Sequence, residues 1–300
     1  MDMNMFSKLI AEHQKRMRKM TLEATQLISP QIRKLRRSTI NVPNIVRDAM
    51  VGLNETFQKI AKGLEETEED IKIFRSAIVK LGYPPNGSIG IPNLRSIAQD
   101  YDIYGEEYVQ EYIDEFMVNY YDGVILREML LIWEGYSFIE KRLPLLRNAI
   151  KAHNLKMFEL VVPSVISQLE GIVIDAFEIR GKVNGQILEI LLEYLFIENN
   201  KEERFNFFDK SIYDYYINKV LVTFEHGYAI KSDISRHAIL HGGDTKFGEE
   251  TVSLKAILLL DSLIEAISEL RDDVKQLARQ EVKQYRKNRS KWIKNKLNKR

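Results

Sequence analysis

A long apolar stripe near the C-terminal end is the feature that most constrains the fold of this chain. Its members recur mainly three and four positions apart, the spacing that places side chains on one face of an α-helix. They are Leu254, Ile257, Leu258, Leu263, Ile264, Ile267 and Leu270, with Asp261 among them. Residues 187–195 and 126–133 repeat the pattern, and no strand-like pair is joined by a two-residue turn. We therefore predict an all-α, multi-helix protein.

A cluster of prolines and glycines at residues 82–92 is the strongest interruption of this helical pattern. It reads Gly-Tyr-Pro-Pro-Asn-Gly-Ser-Ile-Gly-Ile-Pro, and such a sequence cannot lie inside a helix. We predict an N-terminal helical region at residues 1–90, a helical domain at residues 91–272 and a basic C-terminal helix or tail at residues 273–300.

Charge is unevenly distributed, although Lys and Arg (44) nearly balance Asp and Glu (43). The last twenty residues carry nine Lys and Arg but a single acid, Glu281. Tyr285 and Trp292 are interleaved with these cations, so the tail is a candidate for contacting a phosphate backbone. The alternative is a solvated terminal helix.

Several classes of protein are excluded or disfavoured by composition. The chain has no cysteine, which excludes disulfides and thiolate chemistry and is consistent with a reducing compartment. The first residues lack the order of a signal peptide. Apolar runs are far shorter than the ~20 residues that span a bilayer. We expect a cytoplasmic protein without a membrane segment.

The densest cluster of reactive side chains lies at residues 235–242. Two of the five histidines, His237 and His241, occur here beside Arg236. A guanidinium binds phosphate oxygens through parallel hydrogen bonds, and imidazole exchanges protons near neutrality because its ordinary pKa is ~6.5. This combination favours phosphodiester cleavage without a metal. His241 would be the general acid or base, Arg236 the phosphate clamp, and His237 an orienting or secondary proton group.

The local sequence predicts a short helix, capped by Ser232 or Asp233 and ended by Gly242-Gly243. On an ideal helix Arg236 and His241 point about 140° apart with ~7.5 Å of rise between them, so they cannot grip one small group. They could flank an extended phosphodiester, or combine with the same residues of a second subunit across a two-fold axis. The alternative is a purely structural role, in which the histidine near the helix C-terminus is stabilised by the helix dipole and Arg236 forms a surface ion pair.

This segment resembles the signature of the HEPN superfamily, in which an arginine and a polar residue are followed, after three further positions, by a histidine. The run Arg236-His237-Ala238-Ile239-Leu240-His241-Gly242 is followed by Phe247-Gly248 and by Ser253-Leu254-Lys255. In this respect it is similar to a group of uncharacterised bacterial proteins, which residues 162–172 also resemble. The similarity covers roughly residues 125–270.

The resemblance implies a C-terminal HEPN-like helical bundle, usually dimeric, that often acts as a metal-independent endoribonuclease in toxin–antitoxin or phage-defence systems. Arg236 and His241 match its signature, and His237 fills the polar position. The implied partners are RNA, a second copy of the chain, and an antitoxin or defence protein; no metal or cofactor is implied. Because catalytically inactive members exist, the alternative is a non-catalytic helical interaction or nucleic-acid-binding protein that uses the basic tail.

Other residues are weaker candidates for a site. Arg147 and His153 form a second arginine–histidine pair, one residue longer and without a following glycine. Glu170 is a lone acid on an apolar segment and could be a buried functional acid or a polar residue at a helix edge. With His241, three acids could hold a metal, although caps and dipole partners are commoner roles for them: Asp244, Glu249 and Glu250. A group of aromatic residues could stack bases, although the core or a dimer interface is a commoner place for them: Phe205, Phe207, Phe208, Tyr213, Tyr215 and Tyr216.

Overall fold

The structure, a computed structural model, describes Gly63 and residues 66–200 and 210–297, with side chains described as far as Lys291. All regular secondary structure within these ranges is helical, which confirms the predicted all-α fold. Most of the predicted N-terminal region lies outside the described residues, as do residues 201–209. The assignment of that region therefore stays a prediction.

We number the α-helices of the described ranges in chain order. They are α1 (66–80), α2 (Ile91–Tyr104), α3 (Glu106–Gln110), α4 (Ile113–Tyr120), α5 (Gly123–Trp133), α6 (Leu143–Asn154), α7 (Phe158–Ala176), α8 (Gly185–Phe196), α9 (Lys210–Tyr215), α10 (Arg236–Leu240), α11 (Glu250–Ser268) and α12 (Asp272–Leu297). A π-helical turn, Tyr216–Val220, continues α9.

Helix α11 forms the centre of the core. It packs along α7 and also contacts α4, α6 and α8. Because neighbours surround it, nearly every residue from Val252 to Ile267 is buried, including the polar Ser253 and Asp261. The stripe predicted from sequence is therefore helical from Leu254 to Ile267, and Leu270 lies just after the end of the helix. The helix is buried all round rather than on one face.

The proline- and glycine-rich segment at residues 82–92 links α1 to α2 and packs into this core. Asn86 Nδ2 donates to Asp261 Oδ2 at 2.9 Å, and Trp133 Nε1 donates to Asp261 Oδ1 at 2.6 Å. Burial raises the pKa of Asp261, and these two donors offset part of the cost of burying its carboxylate. The predicted break in the helices is confirmed, whereas a domain boundary near residue 90 stays a prediction.

The basic C-terminal segment is helical as far as Leu297 and forms α12. It lies along α8 and buries Val274, Ala278 and Val282. Its outer face carries exposed lysines, Lys283, Lys287 and Lys291. None of the helices in the described ranges combines the length and the apolar character that crossing a membrane requires.

Candidate functional site

The predicted motif lies on α10, a single-turn helix that packs against α7. Its N-cap is Ser235, whose Oγ accepts the backbone N–H of Ala238 at 3.3 Å. The predicted caps, Ser232 and Asp233, are wrong because the helix begins only at Arg236 and the cap is the residue directly before it.

Two glycines end α10, as the sequence predicts. Gly242 has a φ of 71°, a left-handed conformation that glycine adopts without strain. The amide of Gly243 donates to the carbonyl of Ala238 at 2.7 Å. A Cβ added to Gly243 would lie 1.8 Å from Phe224 Cζ, so the absence of a side chain lets this ring pack against the turn. The turn fixes His241 at the C-terminal end of the helix.

Arg236 is held by a partner on α7. Its Nη2 donates to Glu170 Oε2 at 2.8 Å, with the two side chains 23% and 28% exposed. The Nε–H of Arg236 is buried and has no hydrogen-bond partner within the described ranges. Because a guanidinium carries five N–H donors, this ion pair orients the group without using all of them. Glu170 therefore belongs to the site.

His237 and His241 lie side by side at one edge of α10. Their ring centroids are 6.0 Å apart and the ring planes differ by 3°. His237 is partly buried, whereas His241 is exposed. Burial lowers the pKa of His237, the charge of Arg236 and the proximity of His241 lower it further, and Glu170 acts in the opposite direction. At neutral pH the neutral imidazole of His237 is therefore favoured, the form that accepts a proton.

Lys255 on α11 anchors the loop that leads into α10. Its Nζ donates to Asp233 Oδ2 at 2.7 Å and lies 5.0 Å from the ring centroid of Tyr83. The lysine side chain is only 11% exposed, so loss of its partner would leave a buried charge. Lys255, in one of the segments that carries the resemblance, thus anchors this loop from the core.

The second arginine–histidine pair is divided between surface and interior. Arg147 Nε donates to Glu134 Oε1 at 2.7 Å, and its side chain is 51% exposed. His153 is buried, and its Nδ1 shares a hydrogen bond with Ser253 Oγ at 2.8 Å. Burial lowers the pKa of His153 to about 4. These two side chains therefore do not form a shared site.

The acids that follow the motif lie in a turn and at the start of α11. Asp244 is buried and its Oδ1 accepts the backbone N–H of Lys246 at 2.8 Å. Glu249 occupies the N-cap position of α11, and Glu250 lies in its first turn. Within the described part of the chain, no three His, Cys, Asp or Glu side chains are grouped so as to hold a metal ion.

The aromatic residues between 205 and 216 lie partly outside the described ranges and partly in the core. Phe205, Phe207 and Phe208 lie outside the described residues. Tyr215 and Tyr216 are buried, and Tyr215 Oη donates to the carbonyl of Gly82 at 3.1 Å. Core packing is therefore the role of these two tyrosines, and they offer no surface for base stacking.

Glu170 is the site residue whose role the sequence left undecided. It lies 66 positions before Arg236, so spacing gives no hint of their contact. The available signal was its isolation, since it is the only charged residue between Glu159 and Asp175. A single carboxylate on an otherwise apolar helix needs a partner or water.

Comparison of the chain with protein-family models, with curated proteins and with solved structures gives no match. The site is therefore defined by its own geometry: a guanidinium oriented by a carboxylate, beside two stacked imidazoles of unequal exposure.

Proposed function

We propose that this protein is a metal-independent endoribonuclease of the HEPN type, with Arg236, His237 and His241 as its catalytic residues. The observation that carries the proposal is the parallel pair of imidazole rings, 6.0 Å apart, beside the guanidinium that Glu170 orients. A cation and two proton carriers on one accessible surface are the groups that transesterification of RNA requires.

In the proposed reaction the ribose 2′-oxygen attacks the adjacent phosphorus and the bond to the 5′-oxygen breaks. His237, whose lowered pKa favours its neutral form, takes the proton from the 2′-hydroxyl. His241 in its protonated form gives a proton to the leaving 5′-oxygen. Arg236 donates hydrogen bonds to the phosphate oxygens as negative charge accumulates on them. The products are a 2′,3′-cyclic phosphate and a free 5′-hydroxyl.

The proposal includes a homodimer in which the α10 helices of two copies lie near one another. Apolar side chains close to the motif in sequence and on the neighbouring helix support it, because they are exposed in the single chain. Leu240 on α10 is 37% exposed and Leu160 on α7 is 57% exposed. A two-fold contact would bury them and could bring His241 of one copy near Arg236 of the other.

The cellular role follows from the resemblance. We propose a toxin or phage-defence effector that acts on RNA in the cytoplasm. An antitoxin or a second defence protein would restrain or trigger it.

The test is a digestion of mixed RNAs by the wild-type protein in excess EDTA, with the same sequences as DNA and as fully 2′-O-methylated RNA alongside. The proposal predicts cleavage of the unmodified RNA alone and 2′,3′-cyclic phosphate ends, because only that substrate carries the nucleophile. Failure to cut any RNA, cleavage of DNA, or loss of activity in EDTA would overturn it.

A second candidate function is non-catalytic binding of nucleic acid through α12, and one specific observation favours it. Lys283, Lys287 and Lys291 are exposed and four positions apart, so they share one face of the helix. No ion pair to them is present among the described side chains. Arg286 donates to the carbonyls of Arg180 and Lys182, both at 2.9 Å, which fixes the helix against the body.

This second function is tested by binding of RNA in the absence of cleavage. It predicts that Lys283→Ser/Lys287→Ser weakens RNA binding and flattens its salt dependence, whereas Arg236→Ala leaves binding unchanged. If wild type binds RNA without cutting it, the binding function replaces the ribonuclease; if the lysine variant binds as wild type does, α12 is not the contact surface.

A further inference from the structure

A ladder of aromatic side chains runs along α2, α3 and α4, remote in sequence from the motif. Tyr104, Tyr108, Tyr112, Phe116 and Tyr120 recur at every fourth position. Ring centroids are 4.7 Å apart for Tyr104 and Tyr108, and 6.0 Å apart for Tyr108 and Tyr112. Phe116 and Tyr120 stack at 5.9 Å, and with Tyr112 they line a shallow surface cavity. The ladder thus consists of two groups of neighbouring rings, Tyr104 to Tyr112 and Phe116 with Tyr120, and the cavity lies where the two groups meet.

One end of the ladder is open to solvent and the other is anchored. Tyr104 is 60% exposed, Tyr108 46%, and the adjacent Ile103 66%. Tyr112 Oη donates to Asp100 Oδ2 at 2.8 Å, and Tyr120 Oη accepts the backbone N–H of Gly90 at 2.8 Å. Single exposed apolar residues are ordinary, but several adjoining ones on a fixed support are typical of an interaction surface.

The charge around the ladder selects one kind of partner. No lysine or arginine occurs in the sequence between Arg95 and Arg127, whereas carboxylates recur throughout this stretch. One cation from another helix lies nearby: Lys80 Nζ is 5.6 Å from the ring centroid of Tyr101, whose hydroxyl donates to Glu106 Oε2 at 3.3 Å. Those of Glu106, Glu107 and Glu111 are exposed on or beside α3. Aromatic faces carry partial negative charge and attract cations, so rings and carboxylates here favour the same ligand. A nucleic acid would instead be repelled.

We propose that this surface, the Tyr104–Tyr108 rings with the carboxylates of α3, binds a lysine- or arginine-bearing segment of a partner protein. A cationic side chain lies on the tyrosine face while Glu106 and Glu107 accept its N–H donors. Ile103 covers the hydrocarbon part of the same side chain. The proposal is independent of the ribonuclease, since none of its residues belongs to the motif on α10.

The test measures binding of a fluorescent deca-arginine peptide to the full chain by anisotropy. We expect Tyr104→Ala/Tyr108→Ala to bind roughly tenfold more weakly, because two cation–π contacts are lost without any change in net charge. Tyr104→Phe/Tyr108→Phe keeps the rings and should bind as wild type does. Tyr228→Ala is the matched control, since Tyr228 is 74% exposed on a different segment and its loss should have no effect.

Three results would overturn the proposal: no binding of the peptide to wild type, equal binding by the double alanine variant, or an equal loss in Tyr228→Ala. A fourth concerns the identity of the occupant. If sedimentation shows wild-type self-association that Tyr104→Ala/Tyr108→Ala abolishes, the surface belongs to a second copy. Circular dichroism establishes that the variants are folded, and the phenylalanine variant separates loss of the rings from loss of the fold.

Discussion

The Arg236/His241 and Arg147/His153 pairs have similar spacing in the sequence and different environments in the fold. In the first, Arg236 is oriented by Glu170 and His241 is exposed. In the second, Arg147 lies in a surface ion pair while His153 is buried. The contrast shows that spacing sets only the angle between two side chains on a helix. The packing of that helix determines which of the two side chains is exposed to solvent.

The contrast arises from the lengths and positions of the two helices. α6 has twelve residues and packs against α7 and α11, so a residue on its inner face, such as His153, is enclosed. α10 has five residues and contacts the body mainly through α7. Its inner residues, Ala238 and Ile239, are small or apolar, and the histidines remain on the outside. Of these two pairs, only the one on α10 therefore has a histidine exposed to solvent.

The largest effect is expected from removal of the guanidinium. Arg236→Ala should lower the rate of RNA cleavage by about 10²- to 10³-fold, because a charged donor to the phosphate is lost. Arg147→Ala removes the same group from a surface ion pair and should stay within about twofold of wild type. Initial rates under identical conditions measure both. Equal losses in the two variants would contradict the distinction between the pairs.

A smaller effect concerns stability and pH. Burial lowers the pKa of His153 to about 4 in the folded state, against ~6.5 when the chain is unfolded. Between these values the unfolded chain binds a proton that the folded chain does not. The free energy of unfolding therefore falls as pH drops from ~6.5 towards 4. Between pH 7 and pH 5, protonation of His153 in the unfolded chain lowers it by about 2 kcal/mol. His153→Gln should remove this part of the slope.

Urea unfolding of wild type and His153→Gln at both pH values measures that difference. Leu155→Ala serves as the control and should keep the wild-type slope, since the Leu155 side chain is 60% exposed and does not titrate. If His153→Gln unfolds with an unchanged pH dependence, the histidine is not buried in its neutral form.

The smallest effect is expected at Glu170. Glu170→Gln keeps the shape but removes the charge that raises the pKa of His237, so that pKa should fall further. The acid limb of the pH–rate profile should move to lower pH if His237 is the base. The change in stability should be about 1 kcal/mol, because the glutamine keeps a side-chain oxygen that can accept a hydrogen bond from Arg236. An unmoved acid limb would remove His237 from the role of base.

Much of the fold could be predicted from the sequence because helices are encoded locally. The stripe from Leu254 to Ile267 and the break at residues 82–92 depend on neighbours a few positions apart. What could not be predicted is that the segment at residues 82–92 packs into the core against α11. Asn86 and Trp133 both donate to Asp261, and these contacts join residues more than a hundred positions apart.

In the candidate site too, the local features could be predicted and the long-range contacts could not. The spacing of Arg236, His237 and His241 and the glycines after them could be read directly from the sequence. Their partners could not, because Glu170 and Lys255 reach the segment from α7 and α11 only once the core has formed. The electrostatics of the motif, including the lowered pKa of His237, follow from that packing rather than from the motif itself.

The most direct test compares RNA cleavage in excess EDTA by His241→Ala and by His153→Gln, both shown to be folded. We expect His241→Ala to lose at least ~10²-fold, the usual contribution of one acid–base group, and His153→Gln to keep the wild-type rate. Full activity in His241→Ala, or an equal loss in folded His153→Gln, would contradict the assignment of the chemistry to α10.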